Sequence, residues 1–97
     1  MPTYIILGKF TQKGIENIKD HPKRLANSRK LAESLGGKSG DFYFTLGQYD
    51  FVSIVEAPNN ESALQGLLTI GGVGSVRTET LVAIHSDKAA EIIKKLP

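Results

Sequence analysis

The sequence predicts a small α+β domain in which two helices lie on one face of a four-stranded antiparallel sheet. Residues 39–57 hold two runs of aromatic and β-branched residues joined by the turn Gly47-Gln48-Tyr49-Asp50, which is typical of a β-hairpin. Strand-like runs at 3–10 and 76–85 flank this hairpin, and a helical pattern separates it from each of them. The order strand, helix, strand, strand, helix, strand is that of the ferredoxin-like βαββαβ fold.

Composition limits the class of protein. The 97 residues suffice for one domain, 1–97, with a core at 3–85 and an added C-terminal helix at 87–96. The net charge of +2 is too small to predict nucleic acid binding, and the absence of cysteine excludes disulfides and thiol chemistry. The sequence predicts no signal peptide, and no apolar run approaches the roughly 20 residues of a membrane span. We therefore expect a cytoplasmic protein without a membrane partner or a cofactor.

In the first half of the chain, helix start and stop signals follow the first strand. Thr11 is suited to cap a helix, and Pro22 then interrupts the helical pattern. We therefore expect a short first helix and a second one that starts near His21. Gly36-Gly37 is expected to end the second helix, as glycine just past a helix usually does.

The second half repeats this pattern. Asn59 or Asn60 is expected to cap a helix whose apolar side contains Ala63, Leu64, Leu67 and Leu68. The glycine-rich segment 71–74 is expected to terminate that helix. Because the segment follows a helix and precedes a strand, it has the opposite order to a phosphate-binding loop. Ser86 or Asp87 is expected to cap the final helix.

Every predicted strand has apolar residues on both of its faces. On strand 76–85, one face holds Val76, Thr78, Thr80, Val82 and Ile84, and the other holds Arg77, Glu79, Leu81, Ala83 and His85. The two core helices cover one face of the sheet, and the final helix is too short to cover the other. An uncovered apolar face indicates a partner. We therefore expect a homodimer, or a higher oligomer, in which sheets pack face to face.

Three segments resemble the GYD-domain family. They are Leu46-Gly47-Gln48-Tyr49-Asp50, the downstream Val76-Arg77-Thr78-Glu79-Thr80-Leu81, and the opening Tyr4-Ile5-Ile6-Leu7-Gly8-Lys9-Phe10-Thr11 with Gly14. The resemblance covers residues 3–85 and implies a dimeric α/β barrel of the ferredoxin-like type. The family has no settled activity, so the resemblance implies fold and assembly rather than chemistry.

Residues 46–84 are also similar to the effector-binding domain of feast-and-famine transcription regulators. In that family the domain dimerises and binds amino acids near the subunit interface. No helix-turn-helix precedes the matching segment in this sequence. The resemblance therefore implies a stand-alone sensor or oligomerisation module rather than a repressor.

Five polar residues are candidates for ligand binding. Tyr49 and Asp50 either place a phenol and a carboxylate in a cleft at the sheet end, or serve the turn itself. Arg77 and Glu79, one pleat apart, either hold a ligand's carboxylate and amine or form an ion pair. His85, at the end of the same face, is either a base or haem ligand, as in some related dimeric barrels, or a residue that caps the strand. With two histidines and no thiols, no metal site within one subunit is expected.

The expected function is that of a homo-oligomeric, sensor-like module that binds a small organic molecule through these residues. One alternative is a cofactor-free oxygenase or isomerase of the dimeric α/β-barrel type, which requires His85 or Tyr49 inside a pocket. The other is a structural oligomerisation protein with filled interfaces. The sequence has no Ser-His-Asp order, paired catalytic carboxylates or nucleotide fingerprint, so no catalytic residue is assigned.

Overall fold

Four strands form one antiparallel sheet in the computed structural model, which describes residues 1–97. The strands are β1 (Thr3–Phe10), β2 (Lys38–Phe44), β3 (Phe51–Glu56) and β4 (Val76–Ala83). The helices are α1 (Gln12–Glu16), α2 (His21–Ser34), α3 (Asn60–Val73) and α4 (Ser86–Ile93), with a 3₁₀ turn at Ile18–Asp20 before α2. The sheet order β2-β3-β1-β4 confirms the predicted ferredoxin-like topology.

Thr11 begins α1 and fastens it to the end of α3. Its side-chain oxygen accepts a hydrogen bond from the Gly14 N–H at 3.2 Å, and its hydroxyl donates to the Gly74 carbonyl at 2.6 Å. A Cβ atom on Gly14 would lie 2.1 Å from the Ser75 carbonyl oxygen, so only glycine permits this approach. The predicted cap at Thr11 is confirmed.

The predicted cap of α3 and its predicted end within the glycine-rich segment 71–74 are both confirmed. Asn59 accepts a hydrogen bond from the Ser62 N–H at 2.8 Å. The helix then continues through Gly71 and Gly72 and ends where Gly74 adopts the left-handed conformation, with φ of 86°. Glycine inside a helix costs only about 1 kcal/mol, which neighbouring helical bonds can offset.

The C-terminal region differs from the prediction in three places. Strand β4 ends at Ala83 because its partner β1 begins at Thr3, which pairs with Ala83. His85 therefore lies beyond the strand and caps α4, since its Nδ1 accepts a hydrogen bond from the Asp87 N–H at 3.1 Å. Helix α4 ends at Ile93 rather than near residue 96, because tighter i to i+3 bonds close its last turn.

The helices cover the sheet loosely. Helix α2 packs against β2 and α3 against β4, while α2 and α3 make little contact with each other. Only seven of the 97 residues are buried, among them Tyr4 and Phe51, so the core is thin. No helix is long and apolar enough to cross a membrane.

The sheet face opposite α2 and α3, here called the open face, has no helix packed extensively on it. Strand register places Ile5 between Ile54 of β3 and Leu81 of β4, and Leu7 beside Val52. Leu81 is 44% exposed. The open face is therefore an apolar surface, as the alternation of the strands predicts.

Candidate functional site

A cleft of about 440 Å³ lies between the sheet and the two long helices. Half of the residues that line it are hydrophobic. Its walls include Leu25 and Leu31 of α2 and Ala63, Leu67 and Ile70 of α3. Its volume lies within the range of small-molecule sites, which are usually about 300–1,000 Å³.

One half of the cleft floor, on β2 and β3, is aromatic. The Phe51 ring lies over Gly8 of β1, where a Cβ atom would fall 1.9 Å from the Phe51 Cζ. Phe51 stacks on Phe42 with ring centroids 4.9 Å apart and contacts Phe10 at 5.3 Å. These rings form a continuous apolar surface at one side of the cleft.

The other half of the floor contains hydroxyl groups. Ile6 of β1 has Ser53 on one side and Thr80 on the other, and Gly8 has Thr78 beside it on β4. The side-chain hydroxyls of Ser53, Thr78 and Thr80 line the cleft and form no hydrogen bond within the chain. A closed core would place apolar side chains here, because an unpaired hydroxyl costs free energy when it is buried.

His21, the first residue of α2, closes the aromatic end of the cleft. Its ring centroid lies 4.8 Å from that of Phe44, 5.1 Å from that of Phe42 and 5.8 Å from that of Phe10. Its Nε2 is shielded from solvent and has no hydrogen-bond partner. Burial, and then the charge of Arg24, lower the pKa of His21 below its usual value, so the ring is neutral at pH 7.

The charged groups along the cleft are few and mostly basic. Arg24 and Arg29 of α2 line it, against one carboxylate, that of Glu56. The Arg24 guanidinium is held in place because Nη1 donates to the Asn17 carbonyl at 2.8 Å. A ligand in the cleft therefore meets apolar, hydroxyl and cationic groups but little negative charge.

Of the five residues that the sequence predicts as a site, three lie close together on the open face. The Tyr49 hydroxyl donates a hydrogen bond to the Glu79 carboxylate, and the Lys9 ammonium lies 5.6 Å from the Tyr49 ring centroid. The hydrogen bond to Glu79 is the main cause that raises the pKa of Tyr49. Arg77 lies on this face directly opposite Lys9, and neither cation has an ion pair.

Asp50 and His85 lie apart from that group. Asp50 accepts a hydrogen bond from the Phe10 N–H at 2.9 Å, and its own N–H donates to the Gly8 carbonyl at 2.8 Å, so it extends the contact between the turn and β1. The His85 side chain is 76% exposed. None of the five predicted residues lines the cleft, so the enzyme alternative lacks the placement of His85 or Tyr49 that it requires.

The predicted site includes none of the three hydroxyl residues that line the cleft floor, Ser53, Thr78 and Thr80. The predicted strand face that contains Thr78 and Thr80 is the one that the helices cover. The available signal was the pair of threonines on the face that also carries Val76 and Val82, where a helix-covered strand usually has only apolar residues. His21 is the first residue of α2, as predicted, but its contact with the phenylalanines depends on tertiary structure.

Residues 4–93 match the GYD domain family. Over 97 residues, the chain is 35% identical to the glutamine synthetase and cystathionine beta-lyase binding protein of Thermus thermophilus, with 99% of each protein covered.

Solved structures share the fold at lower identity. A feast or famine regulatory protein from M. tuberculosis, complexed with L-methionine, has a TM-score of 0.66 and 15% identity over 88% of this chain. This chain spans only 51% of that regulator. The crystal structure of MtbAldR has a TM-score of 0.61 and 16% identity, with 87% of this chain and 53% of that chain covered.

These structural likenesses establish the fold, while the sequence matches establish the family. The match of residues 4–93 spans nearly the whole chain, including the Gly47-Gln48-Tyr49-Asp50 turn and all four strands. The chain therefore belongs to the GYD domain family.

Proposed function

We propose that this protein is a homo-oligomeric binding module that holds a small organic molecule in the cleft between its helices and its sheet. The observation that carries the proposal is the cleft itself, a space of about 440 Å³ in a chain of 97 residues. A hydrophobic ligand would be buried against the apolar walls, which stabilises the complex by about 25 cal/mol for each Å² of apolar surface removed from water.

The hydroxyl groups on the floor favour the interpretation that the cleft binds a ligand rather than that it is a loosely packed core. Ser53, Thr78 and Thr80 have no partner within the chain, and closing the helices over them without water would cost about 1–3 kcal/mol for each unpaired group. A space that keeps these hydroxyls accessible is suited to a ligand that pairs with them.

A neighbouring pair of positions on α3 provides a direct test. Ala63 lines the cleft, whereas Leu64 is 55% exposed on the outer side of the same helix. We expect Ala63→Trp to fill the cleft and abolish binding of the fluorescent probe 8-anilinonaphthalene-1-sulfonate, while Leu64→Trp leaves it unchanged. Equal probe binding by both variants, or none by the wild-type protein, contradicts the proposal.

The open face supports self-association. It carries Ile5, Leu7, Val52, Ile54 and Leu81 together, and a contiguous apolar surface of this kind is typical of an interaction site. Lys9 and Arg77 lie side by side at its edge without ion pairs, and an acidic group of a second copy would relieve their repulsion. A stable interface of standard size buries about 800 Å² on each partner.

A second candidate function is binding to another protein. The relative that is 35% identical over 99% of this chain is named for binding glutamine synthetase and cystathionine beta-lyase. Leu64 and Leu68 are 55% and 66% exposed one helical turn apart on α3, and this apolar stripe gives such a partner a surface. The test is surface plasmon resonance with the glutamine synthetase and the cystathionine beta-lyase of the organism that makes this protein. Leu64→Lys with Leu68→Lys should weaken binding, and a wild-type protein that binds neither enzyme contradicts this candidate.

A further inference from the structure

We infer that the cleft selects planar aromatic molecules with a hydrogen-bonding substituent at one end. This inference rests on the proposed small-molecule function and names the chemical class of the ligand. The structural basis is the placement of the Phe42 and Phe51 rings on β2 and β3 and of the unused hydroxyls of Thr78 and Thr80 on β4, with Ser53 on β3 between Phe42 and Ile6. The five residues singled out by the sequence are not involved.

Strand register fixes the two halves relative to each other. Across the helix-covered face, one row runs Phe42, Ser53, Ile6, Thr80, and the next runs Phe44, Phe51, Gly8, Thr78. Each step between strands is about 4.8 Å, so β4 lies about 10 Å from β3. The Phe51 ring extends from β3 over Gly8 of β1, so a ligand ring stacked on it lies within one strand spacing of Thr78.

The aromatic half favours a flat ring. Phe42 and Phe51 are stacked with an interplanar angle of 20°, and Phe51 lies flat over Gly8 because no side chain lifts it. The Phe51 ring fills the space above Gly8, so a ligand ring in this half would contact Phe51 itself. Aromatic pairs gain from offset or edge contacts beyond the area that they bury.

The hydroxyl half favours a polar substituent. A threonine hydroxyl both donates and accepts, and those of Thr78 and Thr80 are not used within the chain. A purely hydrocarbon ligand would strip water from these groups without replacing the lost bonds, which lowers its affinity. A ligand hydroxyl or ring N–H at this end replaces the hydrogen bonds that the threonine hydroxyls lose when water leaves.

The test uses two ligands that differ by one hydroxyl, naphthalene and 2-naphthol, in calorimetric or fluorescence titrations. We expect the wild-type protein to bind 2-naphthol about fivefold to tenfold more tightly, as one additional hydrogen bond provides. The double variant Thr78→Val, Thr80→Val removes two hydroxyls and keeps the shape and strand preference of the side chains. It should bind both ligands with nearly equal affinity.

Thr3→Val is the matched control. Thr3 lies on β1 outside the cleft and its hydroxyl likewise has no partner within the chain, so its removal should leave the preference for 2-naphthol unchanged. Equal binding of the two ligands by the wild-type protein, or a preference that survives in the double variant, overturns the inference and leaves the proposed function intact. If the wild-type protein binds neither ligand nor 8-anilinonaphthalene-1-sulfonate, both are contradicted.

Discussion

The Phe51 ring lies so close to Gly8 that a Cβ atom on Gly8 would fall 1.9 Å from the ring's Cζ. The two residues are paired on neighbouring strands, and their side chains share the helix-covered face. The bare glycine allows the ring to lie flat on β1 and to stack with Phe42. This contact determines the height of the cleft floor at its aromatic half.

Replacing Gly8 by alanine should therefore affect both stability and binding. The added methyl group displaces the Phe51 ring, and overpacking of this kind lowers the free energy of unfolding by about 1–3 kcal/mol. Because the displaced ring moves into the cleft, the affinity for 2-naphthol should also fall. Urea denaturation and ligand titration measure the two effects.

Gly72→Ala is the control for this substitution. A Cβ atom at Gly72, inside α3, meets nothing within 4 Å, so the variant should gain up to about 1 kcal/mol of stability from helix propensity. A Gly8→Ala variant as stable as the wild-type protein would show that the Phe51 ring does not depend on the glycine.

Asp50 should contribute to stability through its bond to the Phe10 N–H. Asp50→Ala leaves this N–H without its acceptor and should lower the free energy of unfolding by about 1–3 kcal/mol. Asp50→Asn keeps an acceptor oxygen and should lose less. Both variants should retain ligand affinity, because Asp50 does not line the cleft. Loss of ligand affinity in Asp50→Asn without loss of stability would instead support a binding role.

His21 should make the stability of the protein depend on pH. The pKa of His21 is lowered in the folded state relative to its ordinary value of 6.5, so the unfolded chain binds the proton more readily. The free energy of unfolding should therefore fall as the pH decreases through 6.5 and continue to fall until His21 is protonated in the folded state as well. Urea denaturation between pH 7.5 and 5.5, a window chosen to lie above most carboxylate titrations, measures this change.

Two histidine variants separate His21 from the rest of the chain. His21→Phe should flatten the pH dependence in that window, whereas His85→Asn should keep it because His21 remains in place. If His21→Phe retains the wild-type pH dependence, another group is responsible for it.

The open face should determine the oligomeric state. Ile54 lies near the middle of this face, between β1 and β2, so Ile54→Lys places a charge where a second sheet would pack. Sedimentation equilibrium should give a multiple of the 10.5 kDa chain mass for the wild-type protein and the single-chain mass for this variant. Leu64→Lys, on α3, should leave the wild-type mass unchanged. A wild-type protein that sediments as a monomer at micromolar concentration refutes self-association through this face.

The sequence predicts the fold well because its signals are local. The cap at Thr11, the cap at Asn59 and the alternation of the strands are each set by a few neighbouring residues, and each is confirmed. The inner face of α3 is less well predicted, since Leu64 and Leu68 are exposed while Ala63, Leu67 and Ile70 line the cleft. The apolar residues of α3 cover more than one side of the helix, so periodicity alone does not decide which side faces the sheet.

The site is harder to predict because it depends on spacing between distant elements. Tyr49 and Glu79 are in contact, and Glu79 lies on the strand face predicted for it. That face is the open face, on the other side of the sheet from the cleft. Thr78 and Thr80 become notable only when the helices are seen to leave a cleft above them. The gap between α2 and α3 is a property of helix packing, which no local motif in the sequence specifies.

The most direct test of the central claim is an amide chemical-shift titration of the ¹⁵N-labelled protein with 2-naphthol. If the cleft is the binding site, the largest shifts should belong to floor residues such as Ile6, Ser53 and Thr80, with little change at Leu7, Ile54 and Leu81 on the open face. The largest shifts at Tyr49, Arg77 and Glu79, or no shifts at saturating ligand, would contradict it.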